Sequence, residues 1–255
     1  MGNLWASRPR LANGSRGGCP TFDHLTEGLP FMIRALIFDI DGTLIDSVDL
    51  HAESWQVALR HFGHEIPFER VRAQIGKGGD KLMPALLPSD EVKQRGKEIE
   101  QYRLELFRRE YLPRVKVFPR VRELFERIRA DGKRMALASS AKAQELEQYK
   151  RIAGIADLLD EETSSDDADE SKPEPDIFHA ALDRLGGIDP ATVIVVGDTP
   201  YDAEAAQKAG LRTIGLLCGG WPETELRQAG CIAIYRDPAD LLRQYDHSPL
   251  AKPLV

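Results

Sequence analysis

Four short groups of residues in this chain carry side chains suited to acid–base, nucleophilic or phosphate chemistry. They are Asp39-Ile40-Asp41-Gly42-Thr43-Leu44, Ser139-Ser140, Lys172-Pro173 and Gly197-Asp198-Thr199-Pro200-Tyr201-Asp202. Three of them directly follow an apolar run that predicts a strand, and Lys172-Pro173 lies in the loop before a predicted helix. Ligands bind parallel sheets at the carboxyl ends of the strands. We therefore expect the four groups to meet at one edge of a sheet.

The first group places two carboxylates one residue apart. Asp39 and Asp41 project to the same side of an extended chain, and Gly42 lets the backbone turn sharply after them. The same letters could begin a calcium-binding loop, but the later ligand positions and terminal glutamate of an EF-hand are missing. The glycine-rich stretch at 76–79 lacks the residue order of a P-loop. We interpret that stretch as a loop facing the active site.

Short apolar runs alternate with amphipathic helices beyond residue 32, which predicts an α/β fold. The runs are Ala35–Phe38, Met135–Ala138, Val193–Val196, Thr213–Leu217 and Ile232–Tyr235, with Asp157–Leu159 as a weaker candidate. Helices are expected at Arg120–Ala130 and Pro175–Leu185. Strands that are apolar throughout are typical of a parallel sheet covered on both faces. The expected core is therefore Rossmann-like, with helices on both faces.

Between residues 48 and 116 the pattern changes to helices without strands, including a long charged helix over Ser89–Tyr111. This predicts a small all-helical cap inserted after the first strand of the sheet. The residues expected to share one face of its first helix are Leu50, Ser54, Val57, Ala58 and His61. The α/β core then comprises residues 32–47 and 117–247, and 248–255 form a C-terminal tail. Residues 1–31 lack periodicity, which predicts a poorly ordered N-terminal extension.

Composition excludes several classes of function. The formal net charge of −7 gives no basic face for nucleic acid and argues against docking on an anionic membrane. No apolar run approaches the ~18 residues that span a bilayer. The three cysteines have no C-x-x-C spacing, so neither a disulfide framework nor a zinc site is predicted. They favour a reducing compartment, and we expect a cytoplasmic protein.

From about Ile33 to Tyr235 the sequence resembles the haloacid dehalogenase-like hydrolase superfamily. The resemblance depends on Asp39-x-Asp41-Gly-Thr-Leu and Gly-Asp198-Thr-x-x-Asp202, with Ser139 and Lys172 in the expected order between them. The position of the helical insert is similar to that of the small caps of phosphoglycolate phosphatase-like and β-phosphoglucomutase-like enzymes. Asp41 argues against a dehalogenase, which lacks a carboxylate at that position.

The resemblance implies a role for each group. Asp39 would be the nucleophile, since an aspartate is ionised at neutral pH and needs no base. Asp41 would be the general acid and base, which requires a raised pKa. Lys172 would pair with the phosphoryl oxygens and steady Asp39. Ser139, with N–H groups near Ser140, would hydrogen-bond the transferring group.

The resemblance also implies a magnesium ion, because Mg²⁺ prefers oxygen ligands. Its ligands would be Asp39, the backbone carbonyl of Asp41, and Asp198, with Asp202 supporting them from behind. In the cap, Lys77, Lys81 and His51 are candidate contacts to the substrate's leaving group. For His51 and Trp55 we favour packing at the hinge over contact with the substrate. Solvation is an equal alternative for Lys77 and Lys81, and a functional role for Ser140 and Lys142 is left open.

The function predicted is a magnesium-dependent phosphatase that hydrolyses a small phosphorylated metabolite through an aspartyl-phosphate. A β-phosphoglucomutase-like sugar phosphomutase is the alternative, disfavoured because Gly79 stands where such mutases carry an arginine that grips the distal phosphate. A catalytically inactive binding protein of the same fold is a third reading. The physiological substrate and the oligomeric state are not predicted by the sequence.

Overall fold

A computed structural model describes residues 32–252 of the chain. The strands are β1 Ala35–Phe38, β2 Ile45–Asp46, β3 Lys116–Val117, β4 Arg134–Ala138, β5 Glu161–Thr163, β6 Val193–Gly197, β7 Arg212–Leu216 and β8 Cys231–Tyr235. Six of them form a parallel sheet in the order β5-β4-β1-β6-β7-β8. Strands β2 and β3 pair with each other, antiparallel, outside that sheet. The first strand in the chain thus lies in the middle of the sheet.

Ten α-helices lie among residues 32–252. They are α1 Val48–His61, α2 Phe68–Arg72, α3 Gly79–Leu86, α4 Ser89–Leu106, α5 Val121–Ala130, α6 Ala143–Ala153, α7 Asp176–Arg184, α8 Pro200–Lys208, α9 Glu223–Gln228 and α10 Pro238–Arg243. A π turn, Phe107–Tyr111, continues α4, so the long charged helix of the sequence changes its hydrogen bonding in its last turn. No helix in this range combines the length and apolar character needed to cross a bilayer.

The central strand is buried on both sides, because its alternate residues enter two different apolar clusters. Leu36 and Phe38 pack with residues of α5 and α6, whereas Ala35 and Ile37 pack with residues of α7 and α8. All four are fully buried. A strand with two covered faces has no use for polar residues, which explains its uniformly apolar letters. The predicted α/β fold with helices on both faces of a parallel sheet is confirmed.

The helices α1 to α4 build an apolar cluster of their own, which includes Val48, Trp55, Val71 and Leu82. The chain enters and leaves this segment through paired strands, with Ile45 opposite Val117 and Asp46 opposite Lys116. Both crossings therefore lie side by side at the sheet's carboxyl edge. The division into a core and a cap at residues 48–116 stays a prediction, and this arrangement agrees with it.

One sequence expectation about the strands is wrong. Asp157–Leu159 is not a strand, since the edge strand is Glu161–Thr163, paired with Ala136–Ala138. An edge strand of two glutamates and a threonine gives no apolar run to recognise. Leu158 is buried instead as part of the turn before it. The N-terminal extension predicted for residues 1–31 lies outside the described residues.

The buried face of α1 also differs from the expectation. His61 is exposed, while His51 and Trp55 are buried. The buried stripe is rotated because His51 satisfies its ring nitrogens with polar partners, which periodicity of apolar letters does not reveal. At the other end of the chain, part of the predicted tail belongs to the core, since Leu250 is fully buried in the main cluster.

Truncation of Phe125 should test the core beneath α5. Its side chain is fully buried, and its ring centroid lies 4.6 Å from that of Phe38. Phe125→Ala should lower the free energy of unfolding by about 3–5 kcal/mol, because it leaves a cavity. Ile232→Ala, at a residue 42% exposed on the edge strand β8, should cost less than about 1 kcal/mol. Urea denaturation measures both, and equal costs would contradict this packing.

Candidate active site

The four groups of the sequence meet at the carboxyl ends of β1, β4 and β6. The Lys172 ammonium lies 2.5 Å from Asp39 Oδ1 and 2.7 Å from Asp202 Oδ1. The Thr43 hydroxyl lies 3.3 Å from Asp39 Oδ2 and donates to Asp198 Oδ1 at 3.0 Å. Residues from 39 to 202 are therefore joined through direct polar contacts around Asp39.

Three buried carboxylates form a cluster suited to a divalent cation. Asp39, Asp198 and Asp202 each offer an oxygen within 4.8 Å of the others. Asp198 Oδ2 is buried and has no hydrogen-bond partner within residues 32–252. An unpaired buried carboxylate oxygen is costly unless a cation satisfies it. The donor set is all oxygen, as Mg²⁺ prefers, so these residues fit the predicted metal.

Two glycines keep the space beside Asp198 open. A Cβ on Gly219 would lie 1.6 Å from Asp198 Oδ2, and a Cβ on Gly42 would lie 2.4 Å from it. Gly42 also has a φ of +83°, which side chains rarely adopt. The sharp turn predicted after the first carboxylate pair therefore has a second use, because it clears room around the unpaired oxygen.

Asp202 is held differently from the other two carboxylates. Its Oδ2 accepts hydrogen bonds from Thr199 Oγ1 at 2.7 Å and from the Thr199 backbone N–H at 3.1 Å. It thereby closes a capping box at the start of α8. Its other oxygen faces Lys172. One oxygen is thus held by hydrogen bonds, and the other, which accepts none within residues 32–252, by an ion pair with Lys172 at 2.7 Å. This suits the supporting position expected for Asp202.

Burial and crowding shift the protonation of this cluster. Burial raises the pKa of Asp39 to about 7, and the carboxylates of Asp202 and Asp41 add to the rise while Lys172 opposes it. Burial and the carboxylates of Asp202 and Asp39 raise the pKa of Asp198. The pKa of Lys172 is raised, because the pull of Asp202 and Asp39 outweighs its burial. The cluster carries more negative charge than one lysine can offset.

Asp41 does not have the raised pKa that the sequence predicted. Burial acts to raise its pKa, but His51 and Ser47 outweigh this and hold the pKa below its ordinary value. Asp41 Oδ1 accepts from Ser47 Oγ at 2.5 Å and from His51 Nε2 at 2.8 Å. Hydrogen bonds to a carboxylate favour its charged form. These contacts are absent from any reading of the D-x-D motif alone.

His51 is placed by a network that the sequence did not reveal. The Arg103 guanidinium donates to His51 Nδ1, and a guanidinium cannot accept, so the ring proton is on Nε2 and points to Asp41. The Tyr149 hydroxyl lies 3.2 Å from Nε2. The Phe107 ring stacks on the imidazole at 4.2 Å. No signal marked Arg103, which is one of many charged residues in α4.

A cavity of about 320 Å³ lies between the sheet edge and the helical segment. Of the predicted site residues, those that line it are Asp39, Asp41, His51, Lys77 and Ser140, and Trp55 and Lys142 line it too. Lys77 Nζ donates to Gln74 Oε1 at 2.7 Å and lies over the Tyr201 ring. The predicted contacts of Lys77 and His51 with a substrate stay predictions, and both side chains are within reach.

Three predicted contacts do not line the cavity, and one of them is Lys172, which is 1% exposed. Ser139 is fully buried at the end of β4, and its Oγ accepts from the Ala141 N–H at 3.1 Å rather than lining the cavity. Lys81 pairs with Glu170 at 3.0 Å and also lies off the cavity wall. The side chain of Lys81 points away from the cavity because its ammonium pairs with the Glu170 carboxylate of the core. Among the wall residues that sequence reasoning missed are Glu100 and Glu145.

A protein-family model for haloacid dehalogenase-like hydrolases matches residues 33–210. The chain belongs to this family. A phosphoglycolate phosphatase of Nitrosospira multiformis is 30% identical over 210 residues, covering 80% of this chain and 92% of that protein. The chain is an enzyme of the phosphoric monoester hydrolase type, as predicted.

Solved structures share the fold of this haloacid dehalogenase-like hydrolase. A hydrolase from Pseudomonas syringae superposes with a TM-score of 0.77 at 27% identity, covering 84% of this chain and 98% of that one. A putative β-phosphoglucomutase from Bacteroides vulgatus superposes with a TM-score of 0.75 at 22% identity, covering 88% and 92%. The second match shows the fold alone.

The raised pKa of Asp39 predicts how the stability of the metal-free protein depends on pH. A carboxyl whose pKa rises on folding stabilises the folded state below its unfolded pKa, and that stability is lost as pH rises through the folded pKa of about 7. In EDTA, the free energy of unfolding should therefore increase between pH 8 and pH 5, by up to about 3 kcal/mol from this group. Urea denaturation at each pH measures it.

The matched variants are Asp39→Asn, which cannot titrate, and Asp246→Asn, at a carboxylate with 77% of its side chain exposed. The increase should be smaller in Asp39→Asn and unchanged in Asp246→Asn. Apart from the substituted aspartates, all titratable groups are common to the three proteins. The same pH dependence in Asp39→Asn as in the wild type would contradict the burial of an ionisable Asp39.

Proposed function

We propose that this enzyme is a magnesium-dependent phosphatase that hydrolyses a small phosphorylated metabolite through an aspartyl-phosphate on Asp39. The observation that supports this best is the placement of Asp39. Its carboxylate lines the cavity and contacts Lys172, and it shares a cluster with the unpaired oxygen of Asp198. The proposed nucleophile therefore lines a space large enough for a small substrate, and a buried cation and a candidate metal-binding cluster lie next to it.

In the first step the Asp39 carboxylate attacks phosphorus, and the bond from phosphorus to the leaving oxygen breaks. Asp41, which also lines the cavity, gives its proton to that oxygen. In the second step Asp41 takes a proton from water, which attacks the phosphorus of the aspartyl-phosphate and frees Asp39. Asp41 is ionised in the free enzyme because its pKa is low, and an incoming phosphate dianion raises that pKa by like charge.

The positive charges of Lys172 and of a bound metal ion would offset the repulsion between the Asp39 carboxylate and the phosphate group of the substrate. Asp39, Asp198 and the Asp41 backbone carbonyl are the proposed ligands of Mg²⁺, which would supply positive charge beside the phosphoryl oxygens. The Lys172 ammonium contacts Asp39 directly, and it is also held by Asp202 and by the Ala138 carbonyl at 3.3 Å. Such fixed charges need no reorganisation during the reaction.

Substitution of the two aspartates should separate their roles. Asp39→Asn should abolish phosphate release from p-nitrophenyl phosphate with Mg²⁺, since an amide is a poor nucleophile. Asp41→Asn should slow turnover ~10²–10⁴-fold, the usual contribution of a positioned acid–base group. Acid quenching followed by peptide mass analysis should find phosphate on Asp39 in Asp41→Asn, because the second step lacks its base.

The control is Asp46→Asn, at an exposed carboxylate of β2, which should keep wild-type turnover. Near-normal turnover in Asp41→Asn would refute the acid–base assignment. Phosphate trapped at another residue would refute Asp39 as the nucleophile. No phosphate release by the wild-type enzyme from any monoester would instead favour a catalytically inactive binding protein.

A β-phosphoglucomutase-like activity is the second candidate, favoured by the hydrogen bond between His51 and Asp41, since His51 and Trp55 are similar to residues of those mutases. Gly79 argues against it, because a side chain there would point at Glu100, whose Oε1 lies 3.3 Å from its Cβ position. A distal phosphate would meet that carboxylate. We expect no hexose phosphate isomerisation when catalytic glucose 1,6-bisphosphate is added, and isomerisation without free phosphate would reverse the preference.

A further inference from the structure

The cavity wall beyond Asp39 and Asp41 is more acidic than basic. Besides His51, its ionisable side chains there are the acids Asp80, Glu100, Glu145 and Asp169 and the bases Lys77, Arg103 and Lys142. This wall surrounds the part of a substrate that is not phosphate. Its charge therefore selects among leaving groups, which all share the same phosphoryl chemistry.

Each of the three cations already has a partner within the protein. Arg103 donates to His51 Nδ1 and to Ser54 Oγ. Lys142 pairs with Asp166 at 3.2 Å, and Lys77 donates to the Gln74 amide. A second anion on the substrate would have to displace one of these partners. Among the residues that line the cavity, no cation is left without a protein partner.

Two buried polar atoms on the wall have no partner within residues 32–252. They are Glu145 Oε1, in the first turn of α6, and Ser165 Oγ, in the loop after β5. Glu145 is 2% exposed and lines the cavity, as does Ser165. Leaving a buried polar group unsatisfied costs about 1–3 kcal/mol. Both atoms belong to the core rather than to the helical segment.

The chemistry of these two atoms discriminates between leaving groups. A substrate hydroxyl can donate to the Glu145 carboxylate, and a substrate hydroxyl can accept from Ser165. A substrate carboxylate can only accept, and it would face Glu145 with like charge. A site built to bond a hydroxyl rejects an analogue lacking it more strongly than an apolar pocket can.

We propose that the enzyme selects monoesters whose leaving group carries hydroxyls and no second anion, with Glu145 as the group that receives a substrate hydroxyl. This rests on the proposed phosphatase function and names its substrate class. Small polyol and sugar monophosphates fit the class. Phosphoglycolate, phosphoglycerate and bisphosphates do not, although a relative is a phosphoglycolate phosphatase.

Two pairs of substrates that differ only in this feature provide the test. They are 2-hydroxyethyl phosphate against 2-phosphoglycolate, and glycerol 3-phosphate against 3-phosphoglycerate. Each pair exchanges a CH₂OH group for a carboxylate. The wild-type enzyme should show a kcat/KM at least about tenfold higher for the hydroxyl member of each pair. An equal or higher kcat/KM for the carboxylate members would overturn the proposal.

Two variants with matched controls identify the residues. Glu145→Gln removes the charge and should reduce the preference about tenfold, whereas Glu147→Gln, a neighbour with 49% of its side chain exposed, should keep it. Glu100→Lys should shift the preference toward the carboxylate members, and Glu98→Lys, off the cavity on the same helix with 69% of its side chain exposed, should not. Unchanged ratios in both wall variants would refute the assignment.

Hydrolysis of p-nitrophenyl phosphate by the wild-type enzyme distinguishes failure of the proposed substrate class from failure of the proposed phosphatase function. If that substrate releases phosphate while carboxylate leaving groups are preferred, only the substrate class is wrong. If no monoester releases phosphate, the phosphatase function is wrong and the substrate class falls with it.

Discussion

The site depends on one buried cation placed between carboxylates. Lys172 is 1% exposed and contacts both Asp39 and Asp202. Without that ammonium, the carboxylates at the ends of β1 and β6 would face each other unpaired in a dry environment. Removing one partner of a buried ion pair typically costs about 3–5 kcal/mol. Lys172 therefore makes the cluster compatible with folding as well as with phosphate chemistry.

A single lysine does not neutralise the three carboxylates of the cluster, and the remaining negative charge favours the binding of a cation. The raised pKa values of Asp39 and Asp198 show that the folded protein holds more negative charge than its own cations offset. Folding thus leaves a site that favours an additional cation, since binding one relieves the repulsion. The residues that destabilise the metal-free protein are in this way the ones that would hold the metal.

The sequence predicted the sheet, its flanking helices and the meeting of the four groups, because each depends on strong local signals. Apolar runs such as Ala35–Phe38 indicate strands, and carboxylates after them must lie at one edge. It failed where a contact joins distant polar residues. The low pKa of Asp41 depends on His51, whose orientation depends on Arg103 and Phe107. A ring and a guanidinium that come from a different helix, about 50 residues further along the chain, leave no periodic pattern in the sequence.

The same reasoning explains the misplaced lysine and serine. Lys81 was assigned to the cavity by its position in a loop of the helical segment, but Glu170 draws it outward. Ser139 ends a strand as expected, yet its hydroxyl caps the next turn of backbone instead. In both cases the sequence predicted the position of the residue along the chain correctly but not the orientation of its side chain. Direction depends on partners that only the packed structure brings near.

The paired crossings of β2 and β3 make the helical segment a module with adjacent ends. Its two connections to the core are residues Ile45–Asp46 and Lys116–Val117. The whole insert can therefore be exchanged in evolution without a change in the order or pairing of the strands in the main sheet. Glu145 and Ser165, however, belong to α6 and to the loop after β5. A different helical segment inserted at this place would therefore meet core residues that already select among leaving groups. Recognition of the substrate is divided between the core and the helical segment, and the sequences of these two parts can diverge independently.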